Sequence, residues 1–239
     1  MAQPLILGLD IGSSTVKAII AEPTSEGNFI LHSGLTRQAR GVRRGMVVDM
    51  DATVSVIADL LQEVKQLSKT ALRSVYLRVG GSDVRIQTSR GITAVARANA
   101  EIHKDDIDRA VQASKAVNLP ANRMVLHTLT QEFIVDGVGD IQDPLGMVGA
   151  RLEVISLILD AFAPAVANLS KCVELAGGSI GAWIFGPTAS SSSVLTHNQK
   201  ELGVIMIDIG YGTTGIAVYE EDRLLHTKVF PFGAGHITS

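Results

Sequence analysis

One pattern occurs twice in this chain and limits the possible fold more than anything else in it. Leu5 to Glu22 reads as an apolar strand ending in an acid, Asp10, then a tight turn through Gly12, Ser13 and Ser14, then a second β-rich run from Thr15 to Ala21. Nearly two hundred residues later, Val204 to Tyr219 repeats it: apolar strand, Asp208, Ile209, Gly210, a small polar turn with Gly212, Thr213 and Thr214, and another apolar strand. Asp10 matches Asp208, Ile11 matches Ile209 and Gly12 matches Gly210. Two copies of one acid-tipped hairpin imply two similar lobes facing a shared ligand.

The chemistry of the pattern suits a phosphate tail. Gly12 is free to take positive φ and has no side chain to block close backbone approach. Successive amides in such a turn form a concavity for anions, to which the Ser13 and Ser14 hydroxyls add donors. Lys17 brings a cation on the returning strand. An aspartate at the mouth of an apolar strand is costly to bury without a partner. Hydrated Mg²⁺ suits that role, since it takes one or two carboxylates and keeps its waters.

The rest of the 239 residues fits an α/β layer interrupted by a smaller domain. A third strand is expected over 28–36. A helix follows from Asp49 or Asp51 to about Lys69, with Val54, Ile57, Ala58, Leu61 and Val64 on one face. Ser74 to Val79 reads as a strand closed by Gly80-Gly81. Between Ser82 and Asp160 the spacing predicts two short strands (84–88 and 92–96) around the turn Ser89-Arg90-Gly91. A helix over 104–117, strands over 124–135 and 151–159, and a loop over 139–146 complete that region. Asp105, Asp106 and Asp108 fall in a first helical turn, where acids complement the helix dipole, so they are read as structural rather than metal-binding. The main layer resumes with a helix from Pro164 stopped by Gly177-Gly178, a strand over 180–185, a helix opened by Gly186-Pro187, and a meander over 202–208, 213–219 and 224–230.

Charge and composition exclude several classes. The net charge of −3 is spread over mixed signs, which leaves no electrostatic footprint for nucleic acid. The single cysteine, Cys172, cannot form an internal disulfide and suits a reducing compartment, with a spacing that marks it as core. Met1-Ala2-Gln3-Pro4 lacks the basic-then-apolar start of a secretory signal. The most apolar run, Val154 to Leu159, is cut by Asp160 and Pro164 and is too short to span a bilayer. The six histidines show no ligand spacing and are read as structural.

Asp10-Ile11-Gly12-Ser13-Ser14-x-x-Lys17 and Asp208-Ile209-Gly210-x-Gly212-Thr213 resemble the two phosphate motifs of the actin-like ATPase superfamily. Four further stretches narrow the resemblance to the bacterial FtsA cell-division family. They are Arg40-Gly41-x-x-x-Gly45-x-Val47-x-Asp49; Asp143-Pro144-Leu145-Gly146-Met147-x-Gly149-x-Arg151-Leu152; Ala189-Ser190-Ser191 with Val194-Leu195-Thr196; and His226-Thr227-Lys228-Val229. The resemblance covers essentially the whole chain. It implies an α/β, actin-like (ribonuclease H-like) first lobe, residues 1–81 and 161–199, with an inserted α+β subdomain of SHS2 type, 82–160, and the start of a second lobe, 200–239.

The function so implied is that of an ATP-binding, filament-forming protein that tethers FtsZ filaments, with other divisome proteins, to the inner face of the cytoplasmic membrane at the division septum. Asp10 and Asp208 would hold Mg²⁺ through water. Gly12, Ser13, Ser14 and Lys17 would contact the β- and γ-phosphates of ATP, and Gly210, Gly212, Thr213 and Thr214 would close over them. The chain ends before the region that would supply the adenosine pocket and the C-terminal membrane helix, so a fragment of a longer product is expected. Members that hydrolyse well place Glu or Gln at the start of the inter-lobe helix. Here that position is Gly186, beside Pro187, so binding with slow or negligible turnover is expected. The alternatives are a small-molecule kinase of the same superfamily, disfavoured for want of an acceptor base, and a pilus-assembly scaffold of PilM type, which would not share the 143–152 loop as written.

Overall fold

The structure is a computed structural model that describes residues 5–97 and 99–237. Met1 to Pro4, on which the reading of the chain's start rests, lie outside the described residues. The chain divides into two compact units, one formed by residues 1–84 and 162–239 and the other by 85–161.

The first unit opens with β1 (Ile6–Ile11) and β2 (Thr15–Pro23), which pair antiparallel with Asp10 opposite Lys17. Strict alternation puts Leu7, Leu9 and Ile11 of β1 and Val16, Ala18 and Ile20 of β2 into the core. Next come β3 (Phe29–Gln38) and the two-residue strands β4 (Val42–Arg43) and β5 (Met46–Val47). Helix α1 (Met50–Leu67) starts where the Asp49 carboxylate accepts a hydrogen bond from the Ala52 amide. Its buried face is Thr53, Ile57, Leu60, Leu61 and Val64, so the inward stripe lies closer to Leu60 than the sequence spacing suggests. The chain returns through β6 (Val75–Val79), which runs parallel to β1 with Leu77 level with Leu9.

The second unit is α+β. Strand β7 (Arg85–Ala94) is continuous, where the sequence suggests two short strands around a turn. Gly91 is the reason. A β-carbon there would lie 2.1 Å from the Ala110 carbonyl oxygen, so this glycine admits helix α2 (Lys104–Lys115) onto the strand rather than turning the chain. After β8 (Arg123–Val135) the chain turns through Asp136 and Gly137, both at positive φ (47° and 90°), into β9 (Val138–Ile141). The segment read as loop thus begins as a hairpin strand. Then β10 (Arg151–Phe162) pairs antiparallel with β7 over ten positions, in a sheet ordered β7-β10-β8-β9. Ile102, Ala110, Phe133, Val135, Leu152 and Val154 form its core.

Asp106 is fully buried at the start of α2. It accepts from the His103 amide and pairs with Arg97 and Arg109, which is a capping and ion-pairing role. Burial opposes ionisation of this carboxyl, but the amide and the two guanidiniums outweigh it and hold the group below the usual carboxylate range.

The first unit resumes with α3 (Ala163–Leu175), begun by Pro164 and ended at Gly177 (φ 94°). β11 (Ile180–Phe185) runs parallel to β6 and completes a five-stranded sheet, β11-β6-β1-β2-β3. Leu7, Leu9, Val75 and Leu77 of that sheet pack with Ile57, Leu60, Leu61 and Val64 of α1 and Leu169, Cys172 and Val173 of α3. Each such fully buried side chain contributes about 1.5–3 kcal/mol relative to exposure. Trp183 on β11 donates from its indole to Ser170 Oγ at 2.9 Å, tying the sheet to α3. Burial pushes the Cys172 thiol above its ordinary pKa.

Helix α4 (Gly186–Val194) carries the serine run 190–193 as helix. Helix α5 (His197–Leu202), which the sequence reading does not contain, is held by a capping box between Thr196 and Gln199. The chain then builds a three-stranded meander, β12 (Val204–Ile209), β13 (Thr214–Glu220) and β14 (Arg223–Phe230). No helix among the described residues is long and apolar enough to cross a membrane.

Candidate functional site

The two hairpin turns are near-copies in three dimensions. The Gly12 amide donates to Thr15 O at 3.0 Å, and the Gly210 amide donates to Thr213 O at 2.9 Å. A β-carbon on Gly12 would fall 2.8 Å from the Thr15 oxygen, and one on Gly210 would fall 3.0 Å from the Thr213 oxygen. Neither glycine adopts the left-handed φ that the sequence reading allowed for Gly12. Glycine is required because the turn closes so tightly on its own carbonyl.

These turns meet. A β-carbon on Gly212 would come within 2.9 Å of Ser13 Oγ, so the second loop lies directly against the first. The Gly45 amide donates to the same Ser13 oxygen at 3.4 Å. Together they line a cleft of about 450 Å³ within the first unit. Of the residues singled out in the sequence, Asp10, Gly12, Ser13, Ser14, Lys17, Asp208, Gly210, Gly212 and Thr213 all face this cleft. Thr214 is not among the lining residues; its hydroxyl donates to Phe232 O at 2.8 Å, a bond at the end of the β13–β14 ladder.

At the centre of the cleft stands a residue that lies outside both hairpin motifs. Arg78, next to last in β6, donates from Nη1 to Asp10 Oδ1 at 3.4 Å and from Nη2 to Asp208 Oδ2 at 3.0 Å. One guanidinium thus spans the two duplicated acids. Ser190 on α4 donates to the same Asp208 oxygen at 2.8 Å. All three charged side chains are about two-thirds buried, which is deep enough to strengthen the pairing and open enough to admit a ligand. The signal was present: an arginine inside a central parallel strand, where near-continuous apolar residues are expected, at the carboxyl end where α/β sheets bind ligands.

The donor set divides when tested against the ligand the sequence suggests. Stacked turn amides, the Ser13 hydroxyl, Lys17 and the space left by Gly12 and Gly212 fit an anionic phosphate chain. Each carboxylate accepts from Arg78 through one oxygen, so a hydrated metal between them would have to share both acids with the guanidinium or displace it. Among the described residues, no group of three or more His, Cys, Asp or Glu side chains is arranged to hold a metal ion.

Comparison with known proteins agrees with the duplicated pattern. Residues 81–159 match the family model of the SHS2 domain inserted in FtsA. The chain is 37% identical over 235 residues to the cell division protein FtsA of Pseudomonas aeruginosa, covering 98% of this chain and 56% of that one. It is 34% identical over 238 residues to FtsA of Borreliella burgdorferi, covering all of this chain and 58% of that protein. The chain therefore spans a little over half the length of these relatives. Among solved structures, the PilM–PilN type IV pilus biogenesis complex superposes with a TM-score of 0.64 at 19% identity, over 98% of this chain and 63% of that one. That likeness is one of fold. The fold is actin-like, and the chain belongs to the FtsA cell-division family.

Proposed function

We propose that this chain is the phosphate-gripping part of an FtsA-type protein, one that binds ATP, self-associates into filaments and tethers FtsZ filaments to the cytoplasmic membrane at the division septum. The observation that carries the reading is the pair of equivalent turns, Gly12–Thr15 and Gly210–Thr213, opening on one cleft from two different sheets. In this reading residues 1–81 and 161–199 form the first lobe, 82–160 the inserted subdomain through which divisome proteins dock, and 200–239 the start of the second lobe. ATP would supply the phosphate chain. Gly12, Ser13, Ser14 and Lys17 would hold it from one side, and Gly210, Gly212 and Thr213 from the other.

The cleft is built to hold rather than to cleave. Its lining contains two carboxylates, Asp10 and Asp208, and Arg78 engages both, which makes either a weak general base for a water or an acceptor hydroxyl. The start of α4, where a water-orienting side chain would stand, is Gly186; a β-carbon there would lie 2.6 Å from Arg78 Cζ. The same two observations weigh against a small-molecule kinase, and the PilM likeness is one of fold alone.

The test is thermal. Titrating ATP should raise the unfolding midpoint, because a ligand at a hundred times its Kd stabilises the native state by about 2.7 kcal/mol. For a protein of this size that corresponds to about 5–11 °C. Gly12→Val drives a branched side chain into the Thr15 carbonyl and should abolish the shift. A wild-type midpoint unmoved by saturating ATP would refute the reading.

A further inference from the structure

We propose that Arg78 is the resident cation of the cleft, standing where a divalent metal would otherwise bridge Asp10 and Asp208, so that this chain grips a phosphate chain without needing divalent metal. The inference rests on the reading of the cleft as a polyphosphate site, and it names the counter-charge that site uses.

Three observations support it. First, the guanidinium has a built seat. A β-carbon on Gly80 would fall 2.9 Å from Arg78 Nη1, and one on Gly186 would fall 2.6–2.7 Å from Cζ, Nε and Nη2. Two glycines from different elements, the residue after β6 and the first residue of α4, thus form the walls of a slot that any larger residue would fill. A guanidinium merely swinging in open space would need no such slot.

Second, the engagement is divided. Nη1 serves Asp10 and Nη2 serves Asp208, while Ser190 Oγ fixes Asp208 from the α4 side. The planar fork of an arginine suits this geometry, and its charge is permanent at any physiological pH. A dication placed between the same two carboxylates would have to displace that charge or sit beside it.

Third, the local charge balances without metal. Asp10 lies opposite Lys17 in the β1–β2 pairing, where facing side chains share one side of the sheet. Asp10 and Asp208 against Lys17 and Arg78 sum to zero. An arriving phosphate chain therefore meets Lys17 and an Arg78 that already engages both carboxylates, together with the amides of both turns. At the duplicated position the second hairpin has Gly215 in place of a lysine, leaving room for Pro187, whose Cγ lies 2.8 Å from where a β-carbon would be. Arg78 supplies from β6 the charge that hairpin lacks.

The experiment is calorimetric titration of the chain with inorganic tripolyphosphate, which needs only the phosphate turns, and with ATP, each in EDTA and in excess Mg²⁺. The wild-type Kd should differ by less than about threefold between the two buffers, within the scatter of a side chain's indirect effect. Arg78→Gln keeps hydrogen-bonding capacity but removes the charge, and should weaken binding in EDTA by roughly tenfold to a hundredfold, the worth of one charge-assisted hydrogen bond. Mg²⁺ should restore much of the loss. Gly186→Ala keeps the charge but crowds the guanidinium from its slot, and should shift binding in the same direction by less. Wild-type binding that appears only with Mg²⁺ would overturn the proposal while leaving the polyphosphate reading intact. Unaltered binding by Arg78→Gln in EDTA would also overturn it. Absence of binding in both buffers would overturn the polyphosphate reading and the proposal with it.

Discussion

Gly91 sits in mid-strand under helix α2, and replacing it with alanine measures how tightly the second unit is packed. The new β-carbon would be 2.1 Å from the Ala110 carbonyl oxygen and 2.5 Å from the Ser114 nitrogen. Ordinary contact is about 3.5 Å, so the backbone must retreat by more than about 1 Å. Both atoms belong to the main chain of α2, and no rotamer change relieves them. Forcing a methyl into such a site costs about 1–3 kcal/mol. The retreat also stretches the buried hydroxyl bond between Ser114 and Ser156, now 2.8 Å, beyond useful length, which adds about 0.5–1.5 kcal/mol. The expected loss is about 2–4 kcal/mol in the opening free energy of β7 and β10 amides. Hydrogen exchange followed by mass spectrometry reads that quantity for residues 85–161 separately from the rest. Gly34→Ala is the control: on β3, with nothing within 4 Å of the added carbon and no left-handed φ, it should stay within about 0.5 kcal/mol of wild type. If Gly91→Ala matched Gly34→Ala, the claim that this glycine exists to admit the helix would be wrong.

Asp49→Ala removes the carboxylate that accepts from the Ala52 amide at 3.0 Å, and should cost about 1 kcal/mol, seen in calorimetry as a midpoint lowered by about 2–4 °C. The Asp106 carboxyl is held below its ordinary pKa of 3.8, so its contribution is complete above the unfolded value and is lost as pH falls through the lower folded value. Wild type should therefore lose stability below about pH 4, while Asp106→Asn starts less stable at neutral pH and shows a flatter acid limb in urea titrations. An equally steep acid limb in that variant would assign the pH dependence to other carboxylates.

The duplicated hairpins were legible because they are written locally: period-two alternation, an acid at the strand end and a glycine two residues on. The opening run of three strands, a helix and a further strand was legible as the start of an α/β layer, whereas the order β11-β6-β1-β2-β3 comes from the structure. What escaped was set by distant neighbours. Gly91 looks like turn punctuation, and only the arrival of α2 gives it another purpose. Arg78 looks like an ordinary strand residue until β1, β12 and α4 converge on it from three other parts of the chain. Two further elements have local signatures: Asp136-Gly137 is a hairpin dipeptide, and Thr196-x-x-Gln199 is a capping box. The resemblance places Thr214 with Thr213 at the phosphates, but in the structure the Thr214 hydroxyl donates to Phe232 O.

The anchoring of Trp183 to Ser170 has a practical consequence. It is the one tryptophan of the chain, and the three tyrosines, Tyr76, Tyr211 and Tyr219, lie in the same unit, whereas residues 85–161 contain neither type. Tryptophan and tyrosine absorption and emission therefore watch the cleft-bearing unit and are blind to the other. The protein comes with its own selective optical probe, and a tryptophan placed by design in the dark unit of a Trp183→Phe background would move that probe to the other unit.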